Sequence, residues 1–148
     1  MNVNNIEYKI STIGDTANVT LLLKQYHGDT TNITPESFIL AKFNNQIIGC
    51  VRVKEYAEDN VLELASLVVL PEFRKQGIGS QLVQLLLKKY LQRPIYLLCQ
   101  QEKEKFYRIN GFTSMLINHL PKVLYNDYLR VIEKMPEIKE NVIAMKII

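Results

Sequence analysis

The run V-L-E-L-A-S-L-V-V-L-P-E-F-R-K-Q-G-I-G-S, Val61 to Ser80, decides how this 148-residue chain folds. Its first half, Val61 to Leu70, is almost continuously apolar rather than alternating, the pattern of a central strand covered on both faces. Pro71, Arg74, Lys75, Gly77 and Gly79 follow, and Ile78, Leu82, Leu85 and Leu86 then fall at helical spacing. That spacing predicts a helix ending near Leu91 that packs one apolar stripe on the sheet. At such a strand-to-helix junction, glycines let the backbone approach a ligand and the first helical N–H groups point outward. Helix-terminal partial positive charge, the cations Arg74 and Lys75, and the Ser80 hydroxyl all favour a pyrophosphate there. A tight turn with two glycines used for packing is the structural alternative.

Upstream of this run, Ile6 to Thr12 reads as a strand, and Asp15 is placed to cap a helix that runs to about Tyr26. A polar loop, G-D-T-T-N-I-T-P-E, ends in a Pro-Glu pair and is suited to touching an acceptor. Phe38 to Phe43 and Gln46 to Tyr56 read as strands joined by Asn44 and Asn45, which tolerate the positive φ of a tight hairpin. Downstream, I-Y-L-L-C follows Pro94 as a strand, and Gln101 to Asn110 reads as a helix stopped by Gly111. Thr113 to Asn118 is expected to be a strand. Pro121 opens a helix with Leu124, Tyr128, Val131 and Ile132 on one face, and N-V-I-A-M-K-I-I closes the chain as a strand. Strands outnumber helices, as in an α/β or α+β sandwich, and no linker or repeat divides the series, so residues 1–148 form a single domain.

Composition narrows the function. Hydrophobic residues make up 47% and charged residues 22%, and no apolar run approaches the ~20 residues needed to span a bilayer. The N-terminus lacks a basic stretch followed by an apolar core, so a cytoplasmic protein without membrane association is expected. Cys50 and Cys99 lie in strand-like apolar runs and read as buried thiols. His27 and His119 are isolated, so no metal site is predicted. The net charge of +3 is dispersed apart from Arg74-Lys75 and Lys88-Lys89, which falls short of a nucleic-acid footprint.

The junction is not G-x-x-x-x-G-K-S/T, because no Lys follows Gly79, and not G-x-G-x-x-G, because Leu82 stands where the third glycine belongs. Arg74-Lys75-Gln76-Gly77-Ile78-Gly79 resembles the R/Q-x-x-G-x-G/A signature of the GNAT superfamily of acetyl-CoA-dependent N-acetyltransferases. A second feature similar to that family, an aromatic pair followed by G-F, stands at Phe106 to Phe112 as F-Y-R-I-N-G-F. The resemblance implies a mixed, mostly antiparallel central sheet flanked by helices. It implies that acetyl-CoA is the cosubstrate, that its pantetheine arm pairs with the backbone of Leu67, Val68 and Val69, and that its pyrophosphate rests on Lys75 to Ser80 behind Arg74. Gln100 matches a family position near the pantetheine where Asn is commoner.

Acetyl transfer from a thioester to an amine needs a neutral amine, stabilisation of the oxyanion, and a proton for the departing thiolate. By resemblance, Tyr107 is the general acid and the backbone N–H of Val69 the oxyanion donor. Glu63, the one charge in Val61 to Leu70, has two readings: a base for the amine, or an edge carboxylate paired with Lys54 or Arg52. The helix from Pro121 to Met135 departs from the minimal family plan and can wall an acceptor pocket. Tyr125, Asn126, Asp127, His119, Tyr26 and His27 are candidates for acceptor contact. The expected reaction is direct attack, in a ternary complex, by a primary amine of a small molecule or amino acid. The alternatives are acetylation of a protein N-terminus or lysine, and a non-catalytic CoA-binding module. A homodimer is compatible with the sequence, which fixes neither oligomeric state nor acceptor.

Overall fold

The computed structural model describes residues 5–35 and 37–148, so the first four residues and Glu36 of the Pro-Glu pair lie outside the described residues. Seven strands form one sheet: β1 (Glu7–Ile10), β2 (Phe38–Phe43), β3 (Gln46–Tyr56), β4 (Val61–Val69), β5 (Ile95–Gln100), β6 (Thr113–Met115) and β7 (Val142–Ile147). The helices are α1 (Thr16–Gln25), α2 (Ile78–Lys89), α3 (Glu104–Ile109) and α4 (Lys122–Lys134). The strand order is β1-β2-β3-β4-β5-β7-β6. β1 with β2, β2 with β3, β5 with β7 and β6 with β7 run antiparallel, while β4 and β5 run parallel through the pairs Leu62–Ile95 and Glu63–Tyr96. The mixed, mostly antiparallel sheet flanked by helices is the fold expected above.

Two compact units divide the chain, one holding the residues up to Lys54 with Leu64–Leu91, the other Glu55–Glu63 with Gln92–Ile148. In the first, Val19, Leu22 and Leu23 of α1, Phe38 to Ala41 of β2, and Ile78, Leu82, Val83 and Leu86 of α2 are buried. Val83 and Leu87 are buried where the sequence pointed to Leu85, which is half-buried, so the stripe of α2 is rotated slightly. In the second unit, Val61, Leu120, Leu124 and Ala144 make the centre of a cluster onto which Tyr96, Leu98 and Tyr125 pack.

Three expectations need correction. The carboxylate of Asp15 does not cap α1: it turns back to accept from the Thr12 N–H at 2.8 Å, closing a short 3-10 turn, and from Lys42 Nζ of β2 at 2.9 Å. A cation across the sheet holds that carboxylate more strongly than the first turn of the helix does. β6 stops at Met115, and Ile117–His119 form a 3-10 turn, because only Thr113 to Met115 find partners on β7. Val131 is exposed, so the buried face of α4 is carried by Leu124 and Tyr128. Among the described residues no helix is long and apolar enough to cross a membrane, and no group of three or more His, Cys, Asp or Glu side chains is placed to hold a metal ion.

The bonds to Asp15, the Thr12 N–H first and the Lys42 ammonium next, hold its carboxyl at about 2. A depressed carboxyl pKa adds stability that is present above the unfolded value near 4 and fades as pH falls toward 2. Asp15→Asn should therefore lower the Tm at pH 7 by several degrees, with the difference from the parent protein closing between about pH 4 and pH 2 in thermal melts.

Candidate functional site

The loop after β4 is built by unusual backbone. Pro71–Phe73 make a 3-10 turn that buries Phe73, Lys75 takes φ +62°, and Gly77 takes φ +82° as the residue before α2. Both lie in the left-handed region, which costs an L-residue roughly 1–2 kcal/mol and glycine almost nothing. A Cβ at Gly77 would meet no atom within 4 Å, so conformation, not crowding, is what calls for glycine. Having no side chain, Gly77 leaves the first N–H groups of α2 uncapped and presented at the positive end of the helix dipole. Lys88 and Lys89 balance the dipole at the other end. Gly79 lies in the first turn of α2. Arg74, Lys75 and Gln76 are exposed around the turn, while Ile78 is buried and roots the helix.

Arg74 is tethered to the strand it follows: its Nε donates to the Val69 carbonyl at 2.8 Å. Leu67 and Val69 are half-buried and Val68 is buried, and the N–H of Leu70 donates to Ile48 O at 2.8 Å, holding the end of β4 to β3. Within β4, Ser66 adopts φ +60°, a break in the pleat that lies just before these three residues. The break is held by Arg52, a guanidinium only 1% exposed. Its Nε donates to Ser66 Oγ at 3.0 Å, its Nη1 to Asn32 O at 3.2 Å and its Nη2 to Asp29 O at 3.0 Å, with the Phe38 ring beneath. Lys54 pairs with the Asp29 carboxylate at 2.8 Å. Burial pushes the Asp29 carboxyl up, but the bonds from Lys54 and Thr31 outweigh it and hold the group below its ordinary range. The polar loop after α1 is thus strapped to β3 and β4 by a buried cation. The sequence signal for this was the lone Arg52 in I-I-G-C-V-R-V, which was read there only as a pairing partner for Glu63.

The second unit holds Glu63, Gln100 and Tyr107. F-Y-R-I-N-G-F is a helix stop: the Phe112 N–H donates to Tyr107 O at 3.0 Å and the Gly111 N–H to Arg108 O at 3.0 Å, with Gly111 at φ +102°. This pair of bonds is the Schellman motif, and its usual apolar contact is the edge-on pair of Phe112 and Tyr107, 5.8 Å between ring centres. The Phe106 ring also meets Tyr107 edge-on, 5.0 Å between ring centres. Tyr107 is 7% exposed, and burial first, then the neighbouring Cys99, push its phenol above the ordinary tyrosine value. Cys99, half-buried rather than buried as expected, is itself raised to about 11 by burial and by Glu104. Gln100 is exposed at the end of β5, paired in register with Val142.

Glu63 is buried, and its Oε1 accepts from the Tyr56 hydroxyl at 2.9 Å. The same hydroxyl lies 3.0 Å from Asp127 Oδ2 on α4, and Asp127 is also paired with Arg130. The Tyr56 hydroxyl thus lies within hydrogen-bond distance of both carboxyl groups and joins the three side chains into one cluster. Tyr56 was not singled out by the sequence, because a tyrosine ending a strand carries no distinguishing signal. Of the acceptor candidates, Asp127 belongs to this cluster and Tyr125 packs on the Val61 cluster, while Asn126 and His119 are exposed. In the first unit, His27 is exposed at φ +58° and Tyr26 lies against Arg74.

The family model described as Acetyltransferase (GNAT) family matches residues 10–112, about two thirds of the chain. No curated protein sequence matches it. Among solved structures, N-acetylglutamate synthase from Neisseria gonorrhoeae, complexed with coenzyme A and N-acetyl-glutamate, is similar at a TM-score of 0.76 and 18% identity, over 96% of this chain and 34% of that one. The chain therefore spans about a third of that synthase. Rv2747 from Mycobacterium tuberculosis, in complex with CoA, gives 0.71 at 16% identity over 96% of this chain and 98% of the other. Naa50 of Arabidopsis thaliana, in complex with the bisubstrate analogue CoA-Ac-MVNAL, gives 0.61 at 15% over 96% and 97%. At these identities the likeness is one of fold.

Gly77→Ala should cost about 1–2 kcal/mol in urea unfolding, through φ alone. Gly77→Asn, which tolerates the left-handed region, should recover most of that loss.

Proposed function

The chain belongs to the GNAT acetyltransferase family, and on that premise we propose that it transfers the acetyl group of acetyl-CoA directly to a primary amine of a small molecule or amino acid. The observation that carries this reading is the left-handed turn at Lys75 and Gly77, which presents uncapped helical N–H groups beside two exposed cations. In this proposal the pyrophosphate rests on Lys75, Gln76, Gly77, Ile78, Gly79 and Ser80, with Arg74 closing over it. The pantetheine pairs with the backbone of Leu67, Val68 and Val69. Gln100 meets the pantetheine amide.

The Val69 N–H stabilises the oxyanion as the amine attacks the thioester carbonyl. Tyr107 then gives its proton to the departing thiolate. A phenol pushed above its ordinary value keeps that proton through neutral and moderately alkaline pH, so the group begins each cycle as a donor. Glu63, which accepts from the Tyr56 hydroxyl, takes the proton of the incoming ammonium. Direct transfer, rather than an acetyl-cysteine, is favoured by the thiols: burial raises Cys50 to about 12 and Cys99 to about 11, so neither offers a thiolate at neutral pH. Acetylation of a peptide N-terminus is the second reading, favoured by the similarity to a structure holding a peptide-bearing bisubstrate analogue.

Acetyl-CoA should raise the Tm, and free CoA should accumulate when the protein is given a panel of amines, amino acids and peptides. Absence of both effects would sink the proposal, and the best acceptor in the panel separates the two readings. Tyr107→Phe should lower kcat by about 10–100-fold with coenzyme affinity kept. Glu63→Gln should lower kcat/KM most at neutral pH, the defect shrinking as pH rises and the free amine supplies itself. A defect independent of pH would leave Glu63 a purely structural role.

A further inference from the structure

We propose that Tyr26, at the C-terminal end of α1, is a positioning residue that holds the Arg74 guanidinium ready for the coenzyme pyrophosphate. The inference rests on the acetyl-CoA reading above. An exposed arginine samples many rotamers, and a binding site that uses one must first order it. Arg74 is already held at two points: its Nε donates to Val69 O at 2.8 Å, and its guanidinium carbon lies 5.9 Å from the centre of the Tyr26 ring. Among the described residues no carboxylate pairs with it, whereas Arg108 is paired with Glu104 and Arg130 with Asp127. The terminal N–H groups of Arg74 thus remain for an oxyanion, and their planar fork suits phosphate.

The ring is well placed for this. Tyr26 donates its N–H to Leu22 O at 3.2 Å, and Gly28 donates to Leu23 O at 2.8 Å, so the end of α1 is closed by its own backbone. Leu22 and Leu23 are buried, which fixes the helix beneath the ring, and Tyr26 itself is half-buried. The tyrosine therefore supplies a rigid face to a side chain that arrives from a loop 48 residues later. Tyr26 was a candidate for acceptor contact from sequence; its place against Arg74 assigns it to the donor side instead.

The test is a double-mutant cycle read by calorimetric titration with CoA as the probe, which needs no acceptor. Arg74→Ala should weaken CoA binding about tenfold. Tyr26→Ala should weaken it about two- to fivefold, the strength of an exposed cation–π contact, and Tyr26→Phe should bind as the parent does. In the Arg74→Ala background, Tyr26→Ala should have no further effect. If Arg74→Ala binds CoA as tightly as the parent, the pyrophosphate role of Arg74 falls and this inference with it. If Arg74→Ala weakens binding but Tyr26→Ala is neutral, or its loss persists in full without Arg74, the positioning role alone is overturned. Tyr26→Leu carries the same comparison if the alanine variant does not fold.

Discussion

Strand β4 has apolar side chains on both faces, and a strand of that kind is stable only where both are covered. Val61, Leu62 and Leu64 are buried, as are Val68 and Leu70 at its far end. That demand brings α2 back onto the sheet directly after the strand, and the chain has only Pro71 to Gly77 in which to make the reversal. A reversal that short uses left-handed backbone at Lys75 and Gly77, and Gly77, as the residue before α2, makes no side-chain cap bond. The glycine-bearing turn before α2 is therefore a consequence of returning the chain to the sheet directly after a strand of this kind.

The second family feature has an equally local cause. G-F after an aromatic pair is the end of a helix, with Gly111 taking the conformation other residues avoid and Phe112 folding back on Tyr107. Hydrogen bonds from Phe112 and Gly111 close the last turn of α3 and set the direction of Tyr107. The residue proposed as the proton donor is held by the device that terminates its helix, touches Phe106 and Phe112, and is pushed by burial above the ordinary tyrosine value.

Much of the fold was legible because its elements are strongly patterned. β2, β3 and β4 begin where the apolar runs begin, and Asn44 and Asn45 take the positive φ their side chains tolerate. The strand-to-helix junction around Gly77 was legible because glycines there follow an apolar run and precede helical spacing. Less was legible where a side chain chooses between a local and a distant partner. Asp15 stands at the start of α1, yet Lys42 and the Thr12 N–H draw its carboxylate away. Glu63 was read either as a base or as a partner of Lys54 or Arg52, and the contact that joins it through the Tyr56 hydroxyl to Asp127 was not foreseen, since Asp127 lies beyond the span matched by the family.

The sequence by itself determined the order of the main strands and helices, the strand-to-helix junction before α2, the helix stop at Gly111 and the family, because each rests on neighbours within a few residues. Tertiary structure alone decided that Arg52 is buried and fastens the loop at Asp29, that Tyr56 joins Glu63 to Asp127, and that Tyr26 lies under Arg74. These partners are separated by up to 71 positions in the chain. Their hydrogen bonds and ring contacts depend on where the sheet places each strand end, which no local pattern encodes. The loop from Arg74 to Ser80 was therefore readable as the junction between a strand and a helix, while the ring that lies against its arginine was not.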